Sequence, residues 1–202
     1  MSLVSGRQLS DTQLMPIPTL WFVLYWSWIL TEIYVAVVTR TRRGSGTIDD
    51  RGSMLTLWIV IFSSITVASW VAFTVQATAM PPARWLRPAS LGLLAVGLLI
   101  RWVAIYSLGR AFSANVAIHA TQKLNRSGVF HYMRHPSYTG MLLIFLALGL
   151  RMHNWLSLGL MILPPAAALL YRIHVEEAAL GSAFAEYADY SRTTKRLIPG
   201  IY

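Results

Sequence analysis

Apolar residues gather in five runs, at 20–38, 55–75, 91–108, 141–150 and 155–171, parted by segments where Arg, Gly, Ser and Pro collect. A hydrocarbon core of about 30 Å takes about 20 helical residues to cross, and four of the five runs come close to that length unaided. The fourth run is shorter, but widened to 137–153 it holds 17 residues, about 25 Å at 1.5 Å per residue, a thin span. The pattern predicts an all-α polytopic membrane protein with five transmembrane helices, the fourth and fifth joined by a tight hairpin at 151–154. Pro164 and Pro165 lie inside the fifth span and predict a kink there. Past 171, Val175, Ala178, Ala179, Phe184, Tyr187 and Tyr190 recur at helical spacing, with Glu176, Glu177, Glu186 and Asp189 on other faces. That periodicity predicts a C-terminal cytosolic helical segment lying along the membrane surface.

Composition supports a bilayer over water as the solvent. Of the 202 residues 55% are hydrophobic and 12% charged, about half the charge of a soluble domain, too little to cover the outside of a water-soluble core. The length allows a single membrane domain over 1–202. No cysteine is present, which excludes disulfides, zinc–thiolate sites and a thiolate nucleophile. The first run is too long for a secretory leader and has no cleavage site behind it, so it reads as a span.

The net charge of +9 reads as topology, and no spacing supports a nucleic-acid surface. Arg40, Arg42, Arg43, Arg51, Arg110, Lys123, Arg126, Arg134, Arg172, Arg192, Lys195 and Arg196 fall on one side of a five-span chain, Arg7, Arg84, Arg87 and Arg151 on the other. The positive-inside rule then puts the N-terminus outside and the C-terminus in the cytosol. The long polar segments 109–136 and 172–202 both become cytosolic, and chemistry is expected there.

Two clusters stand out. The first is the run 128–140, GVFHYMRHPSYTG, at the edge of span four. Pro136 suits the first turn of a helix, and a helix N-terminus with Arg134 and His135 beside it can hold an anionic group such as a carboxylate. The plainer alternative is an interfacial anchor of Arg and Tyr at headgroup level. The second cluster is Arg172, His174, Glu176 and Glu177 where span five leaves the bilayer. Arg172 and Glu176 are four apart and share a helical face, either as a snorkelling surface pair or as a charge pair at a cavity mouth. His131 and His135 are also four apart, but Pro136 pushes its predecessor out of helical geometry and no third ligand is near, so no metal site is expected.

These clusters, with the tail 184–199 (FAEYADYSRTTKRLIP), resemble the isoprenylcysteine carboxyl methyltransferase family and its bacterial and archaeal relatives over about 105–202. The resemblance implies an integral membrane methyltransferase with a cytosolic S-adenosylmethionine pocket in that half and a lipophilic or lipidated acceptor entering from the membrane lipids. Carried over by position, Arg134, His135, Pro136, Tyr138 and Glu177, with Gly128 at the head of the run, match cofactor-binding positions. Arg172 and Glu176 match the family's catalytic positions. Gln122 stands where many relatives have His, and 193–195 (TTK) departs from the eukaryotic tail; both bear on the acceptor. A carboxylate acceptor is favoured because it already carries the charge of a nucleophile, whereas a phenol, thiol or amine needs a base such as Glu176 or His174. The alternatives are an NADPH-dependent reductase of the sterol reductase type and a non-enzymatic scaffold or transport protein. The oligomeric state is left open.

One feature lies outside the motifs. Glu32 and Arg101 fall at nearly equal depth, about 9 and 10 Å from the cytosolic ends of spans one and three. Charges at that depth pair or face a cavity, so the two are expected to form a buried ion pair tying the spans together.

Overall fold

The computed structural model describes residues 17–38, 47–48, 52–109, 117–118 and 123–202. Five principal helices occupy them: α1 (Ile17–Val38), α2 (Ser53–Thr74), α3 (Leu86–Leu108), then, after the single turn α4 (Val129–Tyr132), α5 (Pro136–Arg151) and α6 (Trp155–Ala183). A short α7 (Tyr187–Thr193) precedes the C-terminal tail. Two-residue strands, β1 (Thr47–Ile48) and β2 (Ala117–Ile118), pair antiparallel with Thr47 opposite Ile118.

Local chemistry sets the boundaries. Pro136 occupies the start of α5, where its missing N–H removes a donor that has no helical partner anyway. Pro88 sits in the first turn of α3 for the same reason, which lets that helix begin at Leu86, ahead of the apolar run. Asn154 caps α6, its Oδ1 accepting from the Ser157 N–H at 3.0 Å. The same side chain takes a hydrogen bond from Thr78 Oγ1 at 3.0 Å and gives one to the Val75 carbonyl at 2.9 Å, fastening the α5–α6 hairpin to the end of α2.

α1, α2, α3 and α6 are long and apolar enough to cross a membrane. α5 has 16 residues, about 24 Å, and is the short apolar helix of the set, so the count of long spans is four where the apolar runs predict five. A second expectation is corrected. The chain beyond 171 does not start a separate surface helix; α6 continues to Ala183 and only α7 stands apart. No breaker interrupts 172–180, and Arg172, Ile173, Val175 and Ala179 are buried, so packing extends the helix past the point where hydropathy falls. α6 continues as one helix through Pro164 and Pro165.

α3 packs on α5, α2 on α6, α5 on α6 and α1 on α3. The α3–α5 crossing is backbone to backbone: a Cβ on Gly140 would stand 2.6 Å from the Gly97 carbonyl oxygen, so only glycine admits the contact, as at small-residue crossings in membranes. Leu94, Leu98, Ile144, Phe145, Met161 and Leu169 fill the middle of the bundle, while Phe22, Phe62, Trp70 and Phe73 face outward as a lipid-exposed surface requires.

Glu32 and Arg101 are both buried and paired. Arg101 Nε lies 2.6 Å from Glu32 Oε1, and its Nη2 donates to Oε2 at 2.7 Å. Trp28 Nε1 supports the carboxylate from one turn away at 3.1 Å, and Arg101 Nη1 donates to Ser137 Oγ at 2.7 Å. Equal depth along two helices thus predicts the contact, and Ser137 brings α5 into it.

Of the basic residues that fixed the topology, Arg7, Arg40, Arg42, Arg43, Arg51 and Arg110 lie outside the described residues, as does Gln122.

Candidate active site

The chain before α5 is pinned by the C-terminal tail. The Arg134 N–H donates to the Lys195 carbonyl at 2.8 Å and the His135 N–H to the Arg196 carbonyl at 2.9 Å. Thr139 Oγ1 donates to the Leu197 carbonyl at 2.8 Å. The tail is folded in turn by the Tyr202 carbonyl, which accepts from the N–H groups of Leu197 and Ile198, each at 2.7 Å. His135, out of helical geometry as its proline neighbour requires, is thereby aimed at the part of α6 that extends past residue 171.

Glu177 is one hub. Its Oε1 meets Arg134 Nη1 at 2.9 Å and His135 Nε2 at 3.2 Å. Its Oε2 accepts from Arg196 Nη2 at 2.8 Å and Nε at 3.0 Å. The anionic group expected beside Arg134 and His135 is therefore, in the first instance, the chain's own carboxylate. The Tyr138 hydroxyl is the second hub: it accepts from Arg172 Nε at 3.0 Å and donates to Glu176 Oε2 at 2.7 Å. His135 joins the hubs, its ring stacked on that of Tyr138 with centroids 5.5 Å apart and its Nδ1 3.8 Å from Glu176 Oε2. Arg172 also donates from Nη1 to Ser53 Oγ at 3.0 Å, drawing in the start of α2.

Burial grades the cluster. The side chain of His135 is 3% exposed and that of Glu177 11%, but that of Glu176 is 32% exposed, so Glu176 is the carboxylate open to a ligand. Arg134 Nε is buried without a hydrogen-bond partner among the described residues. Three guanidinium groups face two carboxylates, so these five side chains carry one net positive charge.

α7 closes one side. Arg134 Nη1 lies 3.5 Å from the Tyr187 hydroxyl, and Tyr190 donates its hydroxyl to the Phe130 carbonyl at 2.5 Å. Burial pushes the Tyr190 phenol up to about 12 and raises that of Tyr187, so both stay neutral. Hydrogen bonding to Glu177 holds the Arg196 guanidinium above its ordinary value.

The structure thus brings together Arg134, His135, Tyr138, Arg172, Glu176 and Glu177, with Pro136 starting the helix between them. Gly128 stands apart in the turn that opens α4, at φ 59° and ψ −130°; the backbone conformation calls for glycine there, since a Cβ would meet nothing within 4 Å. His174 is exposed on another face of α6, and the His131 ring packs edge-on to Tyr132. Among the described residues no group of His, Asp or Glu could hold a metal ion. Sequence reasoning missed Arg196 and Ser53 as members. The tail motif contained Arg196, but its backbone pairing with 134–135 is non-local and leaves no pattern, and a lone Ser before a span gives no signal.

The model of the isoprenylcysteine carboxyl methyltransferase family matches residues 90–182, which contain most of α3, all of α5 and nearly all of α6. The protein-S-isoprenylcysteine O-methyltransferase of Schizosaccharomyces pombe is 32% identical over 115 residues, 56% of this chain and 48% of that protein. The enzyme of the same name from Xenopus laevis is 28% identical over 202 residues, 97% of this chain and 69% of that protein. The cobalt-zinc-cadmium resistance protein CzcN of Cupriavidus metallidurans is 34% identical over 124 residues, 58% of this chain and 52% of that protein. The chain thus spans about half the length of the S. pombe and C. metallidurans proteins.

Proposed function

Because the chain belongs to the isoprenylcysteine carboxyl methyltransferase family, we propose that it is an S-adenosylmethionine-dependent methyltransferase acting on the carboxylate of a lipophilic or lipidated acceptor, with the polar cluster as its active site. The observation that carries this reading is the Arg172–Tyr138–Glu176 chain set beside the Arg134–His135–Glu177 hub at one end of a bundle of apolar helices. We place that end at the cytosolic face, since Arg126, Arg134, Arg172, Arg192, Lys195 and Arg196 belong to the larger basic group.

S-adenosylmethionine supplies an electrophilic methyl group on a sulfonium, and carries an amino acid's ammonium and carboxylate at its other end. The cluster suits such a ligand. A buried donor left unmatched costs about 1–3 kcal/mol, and a ligand carboxylate would satisfy Arg134 Nε. Arg134, His135, Pro136, Tyr138 and Glu177 would hold the cofactor, with Glu177 fixing the geometry of Arg134 and Arg196.

Positioning and exclusion of water are what a displacement at a methyl carbon requires of the protein. A carboxylate acceptor needs no proton removed. Arg172, buried and one side of a two-way hydrogen bond, supplies a fixed positive charge toward that carboxylate and holds the Tyr138 hydroxyl. Glu176 accepts from Tyr138 and keeps its oxygen oriented. The net positive charge of the cluster favours an anionic acceptor over an amine. Against the NADPH reading stands the engagement of Arg134 and Arg196 by Glu177, which leaves no free arginine cluster for a 2′-phosphate among the site residues.

The test is methyl transfer by the purified protein in detergent from labelled S-adenosylmethionine to N-acetyl-S-farnesylcysteine and to a lipid extract. Base-labile label in the product, with no turnover or binding of NADPH, is the expected result. Base-stable label moves the acceptor to an amine or thioether, and binding of NADPH alone sinks the reading. In the same preparation His135→Ala weakens calorimetric binding of S-adenosylmethionine at least about tenfold; unchanged affinity in the folded variant removes His135 from the cofactor site.

A further inference from the structure

We infer that the end of the bundle remote from the polar cluster carries a binding site for the phosphate of an anionic phospholipid headgroup, held between Arg87 on α3 and Arg151 on α5.

The helix register brings the two together. α3 and α5 run antiparallel, with Gly97 against Gly140 and Arg101 against Ser137. Ten residues back along α3 from Gly97 is Arg87, and ten forward along α5 from Gly140 is Leu150, so over about 15 Å the two arginines come level. They are close enough for the charge of Arg87 to act on Arg151. Arg151 does not swing free: its guanidinium lies over the Trp21 ring of α1, 5.3 Å from the centroid, a cation–π contact that fixes the charge without neutralising it. The turn after it is fixed too, since His153 takes φ 53° and its carbonyl accepts from the Met80 N–H at 2.7 Å.

Among the described residues no carboxylate balances this end. The described carboxylates are Glu32, Glu176, Glu177, Glu186 and Asp189, all at the other end or linked to it through Arg101 and Ser137. Among the described residues neither the Arg87 nor the Arg151 guanidinium has a hydrogen-bond or ion-pair partner. Two level cations, one partly buried, repel one another and have no counter-charge among the described residues. Their location selects the missing anion. They stand where the apolar helices end, and Trp85 and Trp155 are exposed on the same rim, 62% and 59%, as aromatic residues are at headgroup level. A lipid phosphate is the anion present there at high local concentration. With no carboxylate among the described residues at this end to repel it, a headgroup of net negative charge binds better than a zwitterionic one.

The site is tested with the full chain in detergent by native mass spectrometry and thermal unfolding against phosphatidylglycerol, phosphatidylcholine and inorganic phosphate. Phosphatidylglycerol is expected to bind more tightly than phosphatidylcholine and to raise Tm, with each of Arg87→Gln and Arg151→Gln lowering its apparent affinity about fivefold. Arg84→Gln, at the same end but outside the pair, keeps the preference. Equal binding of the two lipids, or an unchanged preference in Arg87→Gln, overturns the site. A loss as large in Arg84→Gln replaces it with a diffuse basic field, and an equal Tm rise with inorganic phosphate makes the ligand a free anion and overturns the lipid assignment. Arg87 is exposed, so its variant remains informative if Arg151→Gln does not fold.

Discussion

Arg172→Ala is expected to lower turnover about 10²–10³-fold while leaving S-adenosylmethionine affinity within about threefold of the parent, the signature of a fixed donor acting on the reacting group. Arg172 is 4% exposed and holds two groups at once, the Tyr138 hydroxyl and Ser53 Oγ. Its removal frees the phenol that orients Glu176 and takes away the fixed charge proposed to face the acceptor, but leaves Arg134, His135 and Arg196 on Glu177 untouched. Glu176→Gln removes the charge that receives the Tyr138 proton donor and should also reduce kcat more than cofactor affinity. Arg172→Lys separates charge from geometry, since a single ammonium has no planar fork to serve Tyr138 and Ser53 together. It therefore falls between the parent and Arg172→Ala. Steady-state kinetics with calorimetry on each folded variant decides the matter: equal losses in turnover and cofactor affinity would move Arg172 and Glu176 into the cofactor site, and full activity of Arg172→Lys would remove the need for a bidentate contact.

What the sequence made legible was whatever lies along one helix or at a fixed depth. Helix ends at 38, 74 and 108 follow from hydropathy, and Arg172 and Glu176 share a face because they are four apart. Even there the structure adds what spacing does not show, that the Tyr138 hydroxyl from another helix stands between them. Hydropathy fails at Arg172 itself. It marks where the membrane-like composition stops, not where the helix stops, and buried Ile173, Val175 and Ala179 carry α6 onward to place Glu176 and Glu177 over the start of α5. The partnership of Arg196 with Glu177 rests on a backbone pairing between residues 61 positions apart, for which a single sequence has no marker.

Loss of one member of the Glu32–Arg101 pair should cost about 3–5 kcal/mol, because a buried ion is left uncompensated, while replacing both with apolar or neutral residues should cost less than the sum. The pair is unusual in reaching three helices: Trp28 and Glu32 on α1, Arg101 on α3 and Ser137 in the first turn of α5. Arg101 sits beside the Gly97–Gly140 crossing, where the helices have no slack to close over a lost side chain. A thermal-unfolding cycle in detergent with Glu32→Gln, Arg101→Met and the double variant measures the coupling, and losses that add within about 0.5 kcal/mol would mean the two charges do not stabilise one another. Ser137→Ala extends the cycle to the site. Ser137 lies between His135 and Tyr138, so if Arg101 holds the start of α5 in register, this variant keeps most of the stability, since the ion pair is intact, yet lowers kcat at nearly constant KM. A stable Ser137→Ala protein with parental kcat would confine the buried pair to holding the helices together.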